Sequence, residues 1–287
     1  MSPSMGKSKT NRAVAPAEPA IPPVAADPWP VLRAEAKRLA RQEPLLAGFL
    51  DATVLRQDGF AAALGYLLSH KLADAHLEAV ALDALVQDAL AADPAILGAA
   101  AADLAAIRSR DPAADSTLTP FLYYKGFHAL EWHRISHHLW GAKRRGLAQF
   151  IQSRVSEIFA VDIHPAVPVG RGVFIDHGTG LVVGETAVIG NDVSILQEVT
   201  LGGTGKEHGD RHPKVRDGVL LSAGAKVLGN IEIGRRAKVG AGSVVLKDVP
   251  PCATVAGVPA EIVGWCKEDS VPSQSMDQSL PCGEFNI

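Results

Sequence analysis

From Ile163 onward the chain keeps a period of six. Aliphatic residues open hexads at Ile163, Val169 and Ile175, then at Val183, Ile189, Ile195 and Leu201, then at Val215, Leu221, Val227, Ile233, Val239 and Val245. The second position is often glycine, as at Gly170, Gly184, Gly190, Gly202, Gly234 and Gly240. The fifth is small or β-branched: Val173, Thr179, Ala187, Val193, Val199, Ala225, Ala237 and Ser243. An α-helix repeats every 3.6 residues and a lone strand every two, so neither explains the pattern. A coil of three short strands does. Each hexad supplies one strand and one turn, and three hexads close a triangle. The register predicts a parallel β-helix of roughly four coils stacked ~4.8 Å apart. The leading aliphatics should point inward and the small fifth residues should fill the corners.

Before the repeat the composition differs. Residues 29–160 are rich in Ala and Leu at helical spacing, in runs such as "GFAAALGYLLSHKL" and "DALVQDALAADPAILGAAAADLAAI". Asp93-Pro94 and Asp111-Pro112 read as breaks between helices. The expected organisation is α+β: a tail over 1–28, an all-helical domain over 29–160, a β-helix over 161–265 and a flexible tail over 266–287. The first 28 residues lack the apolar segment of a secretory signal. Their Pro/Ala-rich composition suggests disorder.

Charge and cysteine content narrow the classes. The formal net charge of −3 gives no basic excess for nucleic acid. No apolar run reaches the ~18–20 residues of a membrane span. Three cysteines, Cys252, Cys266 and Cys282, all late in the chain, do not read as a disulfide framework and fit a reducing, cytoplasmic setting.

The hexad register breaks twice. Ile175 to Val183 is a step of eight, which places two extra residues at 181–182. Leu201 to Val215 is a step of fourteen, and the intervening "GGTGKEHGDRHPK" reads as a loop leaving the coil. Loops on rigid scaffolds are where function concentrates. His177 immediately precedes the first break. Asp162 lies fifteen residues earlier, close to one coil, so the two can sit on neighbouring rungs. A carboxylate beside an imidazole fixes its tautomer and favours a basic nitrogen. The loop adds Asp210, Arg211 and His212. Together these suggest a reaction site.

The segments "VDIHPAVPVGRG", "IDHGTGLVVGETAVIGNDVSILQEVTLGGTGK", "DRHPKVRDGV" and "AGVPAEIVG" resemble the serine acetyltransferase family. "RDPAADSTLTPFLYYKGFHALEWHRISHHLW" is similar to that family's helical domain. The resemblance covers roughly residues 30–265. It implies a left-handed β-helix and acetyl transfer from acetyl-CoA to L-serine, giving O-acetyl-L-serine in cysteine biosynthesis. It implies His177 as general base, with Asp162 as its orienting carboxylate. Arg211 and His212 would contact the serine carboxylate. Asp111 and Asp176 would contact its ammonium, with Glu185 nearby. The acyl donor would pass Gly203, Ala223 and Ala241. After "AGVPA" a basic residue is expected, but the chain has Glu261, which does not suit the anionic end of CoA. Lys238 and Arg235 are the substitutes. The resemblance further implies feedback inhibition by L-cysteine, and trimers paired into a hexamer. It also implies a complex with cysteine synthase through Ile287, whose carboxylate would mimic that of O-acetylserine.

Other signals point elsewhere. "GGTGKE" lacks the Gly spacing and the Ser/Thr of a Walker A loop. His133 and His137 stand at i, i+4 without an evident third ligand, so helix packing is expected and no metal. Two other activities suit a hexapeptide coil. One is acyl transfer to a sugar or another amino acid. The other is a zinc lyase of the γ-carbonic-anhydrase type, which would need ligands drawn from His164, His177, His208 and His212.

Overall fold

A computed structural model describes residues 26–205, 208–266 and 270–280. Most of the expected N-terminal tail, and Cys282 and Ile287, lie outside the described residues.

The first part is helical: α1 Trp29–Gln42, α2 Ala47–Leu50 running into a π turn at Asp51–Leu55, α3 Phe60–Leu72, α4 Ala79–Ala92, α5 Pro94–Arg110, α6 Leu118–Tyr123, α7 Lys125–Gly141 and α8 Arg145–Phe159. The Asp-Pro breaks act as read. The Asp93 carboxylate caps α5 by accepting the Ala95 N–H at 3.1 Å, with Pro94 at the first helical position, where no N–H is needed. Asp111 ends the same helix. No single helix among the described residues is long and apolar enough to cross a membrane.

Strand β1 (Val161–Ile163) follows α8 after Ala160, which turns the chain with φ +55°. The chain then winds as a left-handed parallel β-helix with three faces. The first is β1-β3-β6-β9-β12, comprising Val161–Ile163, Leu181–Val183, Thr200–Gly202, Lys226–Leu228 and Val244–Val245. The second is β4-β7-β10, comprising Val188–Ile189, Lys214–Val215 and Glu232–Ile233. The third is β2-β5-β8-β11-β13-β14, comprising Phe174–Ile175, Ser194–Ile195, Leu220–Leu221, Lys238–Val239, Ala253–Gly257 and Ala260–Trp265. All pairings are parallel except the closing β13–β14 hairpin.

The leading aliphatics are buried from Ile175 to Val245, and the fifth-position residues fill the corners. Thr179 is the exception: it is exposed, and Gly178 is buried in its place. The reason is where the extra residues go. Phe174 pairs with Ser194, but Val182 pairs with Thr200, so the turn between β2 and β3 is two residues longer than the turn below it. The surplus lies in the turn at 176–180 that carries His177, rather than at 181–182, which are strand. Between Gly202 and Lys214 the described residues, 203–205 and 208–213, form no strand, as a loop there requires.

Helix α7 locks the helical part onto the first coil. The Arg134 guanidinium donates to the Asp103 carboxylate, to Val169 O at 3.2 Å and to Gly170 O at 2.8 Å, while Asp103 accepts the Val173 N–H at 2.7 Å. His133 Nε2 and His137 Nδ1 donate to Val167 O and Pro165 O at 3.0 and 2.8 Å. The histidine pair is therefore packing, as expected. Gly126 lets α7 approach β2, since a Cβ there would lie 2.1 Å from Ile175 O.

Two expectations about the end of the chain need correction. Cys252 and Cys266 form a disulfide, because the β13–β14 hairpin sets them opposite each other, with Cys266 N–H on Cys252 O at 2.7 Å. Nor is all of 266–287 loose. Residues 270–280, including the short helix α9 (Pro272–Ser275), lie against the third face, where the Ser194 hydroxyl donates to Ser273 O at 2.7 Å.

Candidate active site

Two clusters form, on different edges of the prism. The first occupies the turn from the third face to the first. Asp111, Tyr124, Asp176 and His177 line a cleft of about 330 Å³ between the ends of α5 and α7 and the long turn after β2. The His177 side chain is exposed, at 74%. Its φ is +55°, but Asp192, Glu198 and Arg236 adopt the same conformation at other corners. The left-handed backbone therefore belongs to the coil's turns and does not mark function. Asp176 Oδ1 lies 3.9 Å from His177 Nε2, too far for a hydrogen bond. Burial, reinforced by the like charge of Asp111, pushes the Asp176 carboxyl above its usual range, against the opposing pull of His177. Burial, and then its hydrogen bond to Asp111, raise the Tyr124 hydroxyl to about 12. Two carboxylates in a half-buried cleft favour an ammonium group between them.

The second cluster occupies the turn from the first face to the second. Arg211 Nη2 donates to Glu185 Oε2 at 2.9 Å, and that bond holds the Glu185 carboxyl below its usual range. The His212 ring lies directly over Gly184. Burial first, then the positive charges of Arg211 and Lys214, lower its basicity. Lys214 Nζ ties the loop's return by donating to Thr186 O, His212 O and Asp210 Oδ1 at 2.8, 2.7 and 2.6 Å. Gly203 belongs here: a Cβ on it would lie 3.6 Å from His212 Nε2. This edge suits a carboxylate.

The structure therefore brings together Asp111 with Asp176 and His177, and Glu185 with Arg211 and His212. It does not unite the two sets within one chain. Nor does it pair Asp162 with His177. Asp162 sits on β1 in the middle of the first face, and its Oδ1 accepts from Gln152 Nε2 of α8 at 2.7 Å. The near-coil spacing puts Asp162 on the right rung but on a face, one corner away from His177.

Ala223 and Ala241 stack on the edge below His177, where the Gly242 N–H donates to Ala223 O at 2.8 Å. A Cβ on Gly242 would meet open space, which leaves room for a long, thin ligand against the backbone. Lys238 does not face that room. It is buried, and its Nζ donates to Asp277 O and Ser279 O at 3.1 and 2.6 Å, so the tail segment takes the cation proposed for CoA phosphates. Arg235 and Glu261 are exposed. Among the described residues no group of three or more His, Cys, Asp or Glu is placed to hold a metal ion.

Sequence reasoning missed Tyr124, Gly184 and Thr186. Tyr124 lies outside the repeat, and only tertiary contact brings it to Asp111. Gly184 is visible as a second-position glycine, but nothing in the period says that an imidazole rests on it.

Comparison with known proteins places the chain in a family. Residues 29–132 match the N-terminal domain of serine acetyltransferase, and residues 212–247 match the bacterial transferase hexapeptide family. A serine acetyltransferase of Escherichia coli strain K12 is 58% identical over 250 residues, which are 87% of this chain and 91% of that one. The crystal structure of serine acetyltransferase from Vibrio cholerae matches with a TM-score of 0.86 at 53% identity, over 88% of this chain and 97% of that one. A serine acetyltransferase from Brucella abortus strain S19, solved in complex with coenzyme A, matches with a TM-score of 0.82 at 48% identity, over 86% and 97%. With its helical part and its coil both matched, the chain belongs to the serine acetyltransferase family, enzymes that transfer acetyl from acetyl-CoA to the hydroxyl of serine.

Proposed function

We propose that this enzyme binds serine between two copies of the chain: the acidic edge of one takes the ammonium and the basic edge of the next takes the carboxylate. The observation that carries this is the separation of Asp111, Asp176 and His177 from Arg211 and His212 onto different edges of the same prism. A free amino acid needs both charges met at once. A heterologous interface that closes into a trimer supplies this three times over. Exposed Val182 and Leu246, on and beside the first face between these edges, are apolar surface for such a contact. In that assembly Asp162, on the same face, is the carboxylate offered to the neighbour's His177. Pairing of trimers through the helical parts into a hexamer rests on the family resemblance.

His177 removes the serine hydroxyl proton as the oxygen attacks the thioester carbonyl, a role worth ~10²–10⁴ in rate. Gly203 lies beside His212, and its N–H is the donor proposed for the charge that develops on the carbonyl oxygen. CoA leaves as the thiol after taking a proton from His177. Ala223 and Ala241 give its arm access to the backbone. Relatives solved with serine and with cysteine support these two as ligands of one site here, cysteine acting as feedback inhibitor. Cysteine synthase is the proposed partner, docked through Ile287. Removing Ile287 should abolish capture of cysteine synthase in a pull-down and spare acetyl transfer, whereas undiminished capture assigns the contact to another surface.

The shared site is tested by mixing. His177→Ala and Arg211→Ala chains are each expected to be nearly inactive. Co-expressed in equal amounts they should recover activity in about a quarter of the sites, the fraction that combines an intact half from each parent. Mixed oligomers that stay inactive would show that no site is shared.

A further inference from the structure

The hydrogen bonds around Thr186 have a direction that fixes the chemistry of the basic edge. Thr186 Oγ1 accepts two backbone N–H groups, from Arg211 at 3.0 Å and from His212 at 3.1 Å. With its acceptor side occupied, the hydroxyl is a donor, and two acceptors stand beside it: His212 Nδ1 at 2.9 Å and the Asp210 carboxylate. The Thr186 backbone N–H also points at Nδ1, at 3.2 Å. A backbone N–H can only donate, so Nδ1 carries a lone pair and the ring proton resides on Nε2.

We propose that Thr186 is the positioning residue of the basic edge: it seats Arg211 and His212 together and fixes His212 in the tautomer whose Nε2–H donates toward the substrate. This rests on the reading of His212 as a substrate contact. It divides the labour between two histidines that look alike in the sequence. His177, with no hydrogen bond fixing either ring nitrogen among the described residues, serves as base. His212, held at Nδ1 and beside Gly203 at Nε2, is a donor only. The lowered basicity of His212, caused by burial and then by Arg211 and Lys214, favours the neutral ring. Thr186 also explains why Arg211 and His212 are adjacent. One hydroxyl oxygen takes the N–H of both, so the loop returns to the coil with both side chains placed by a single anchor.

The test uses the full-length enzyme. A neutron crystal structure of the wild type should show deuterium on His212 Nε2 and none on Nδ1, with the Thr186 N–D directed at Nδ1. Deuterium on Nδ1 overturns the proposal without recourse to any variant. Kinetics supply the second arm. Thr186→Val keeps the shape and removes the hydroxyl, stranding two backbone N–H groups. It should lower kcat/KM for serine ~10–100-fold, the effect of misplacing contact groups by about an ångström, with KM for acetyl-CoA unchanged. Thr186→Ser should recover most of the loss. Equal losses in Val and Ser, or no loss in Val, overturn the positioning role. Wild-type turnover in His212→Ala removes the substrate-contact reading itself, and the proposal falls with it even if the proton is found on Nε2.

Discussion

Replacing Gly184 with alanine should disable the basic edge by displacing one ring. The new Cβ would lie 2.1 Å from both Nε2 and Cδ2 of His212, and 2.8 Å from Cε1, where ordinary contact begins at 3.4 Å. The ring has to retreat by roughly 1.3 Å, while Thr186 still holds Nδ1. Gly184 is not among the glycines with positive φ, so its backbone accepts alanine and the coil itself should survive. A misplacement near 1 Å costs ~10²-fold in rate, so kcat/KM for serine should fall about 100-fold, close to 2.7 kcal/mol. The assay is initial-rate release of the CoA thiol at varied serine. A cycle with His212→Ala isolates the cause. If the alanine acts through the ring, the double variant should be no slower than His212→Ala alone. Wild-type kcat/KM in Gly184→Ala, or losses that add in the double variant, would refute the steric argument.

Further expectations concern the base, the inhibitor and pH. His177→Ala should lower kcat by ~10²–10⁴ with an unchanged circular dichroism spectrum, because the side chain is 74% exposed and supports no packing; near-normal turnover sinks the general-base role. L-cysteine should raise the apparent KM for serine, since the contacts proposed for Asp111, Asp176 and Arg211 read only the ammonium and carboxylate that the two share. Inhibition indifferent to serine concentration counts against one site. Stability should decline in acid. Burial is the main cause that holds His128 and His133 neutral, with pKa lowered to about 3. The folded value lies below the unfolded one, so this stability is fully present above ~6.5 and is lost as pH falls toward 3, by up to about 1.4 kcal/mol per pH unit for each ring. The melting temperature should therefore drop between pH 7 and pH 5, and a flat profile contradicts the assignment of buried neutral rings.

The sequence by itself determined the coil. A six-residue period leaves one economical arrangement, because an aliphatic every sixth residue can be buried continuously only if the chain turns by a third of a circle each time. The family resemblance then proposed the site residues, including one on the helical side, Asp111. What the period could not give was angle. Residues 162 and 177 differ by nearly one coil, so on paper they are neighbours. The coil, however, alternates faces and edges, and three residues of phase carry Asp162 onto a face while His177 stands at a corner. The same limit hid the lengthened turn, placed at 181–182 by counting and at 176–180 by strand pairing. Tertiary structure alone decided that Lys238 is spent on the tail's carbonyls, that Cys252 meets Cys266, and that one threonine hydroxyl orients two loop residues. It also decided that the acidic and basic halves of the site stand on separate edges. Periodicity records which residues are buried along the chain axis. Which exposed groups meet depends on where around the axis they point, and for groups on different edges only contact across the fold, or with another copy, supplies that.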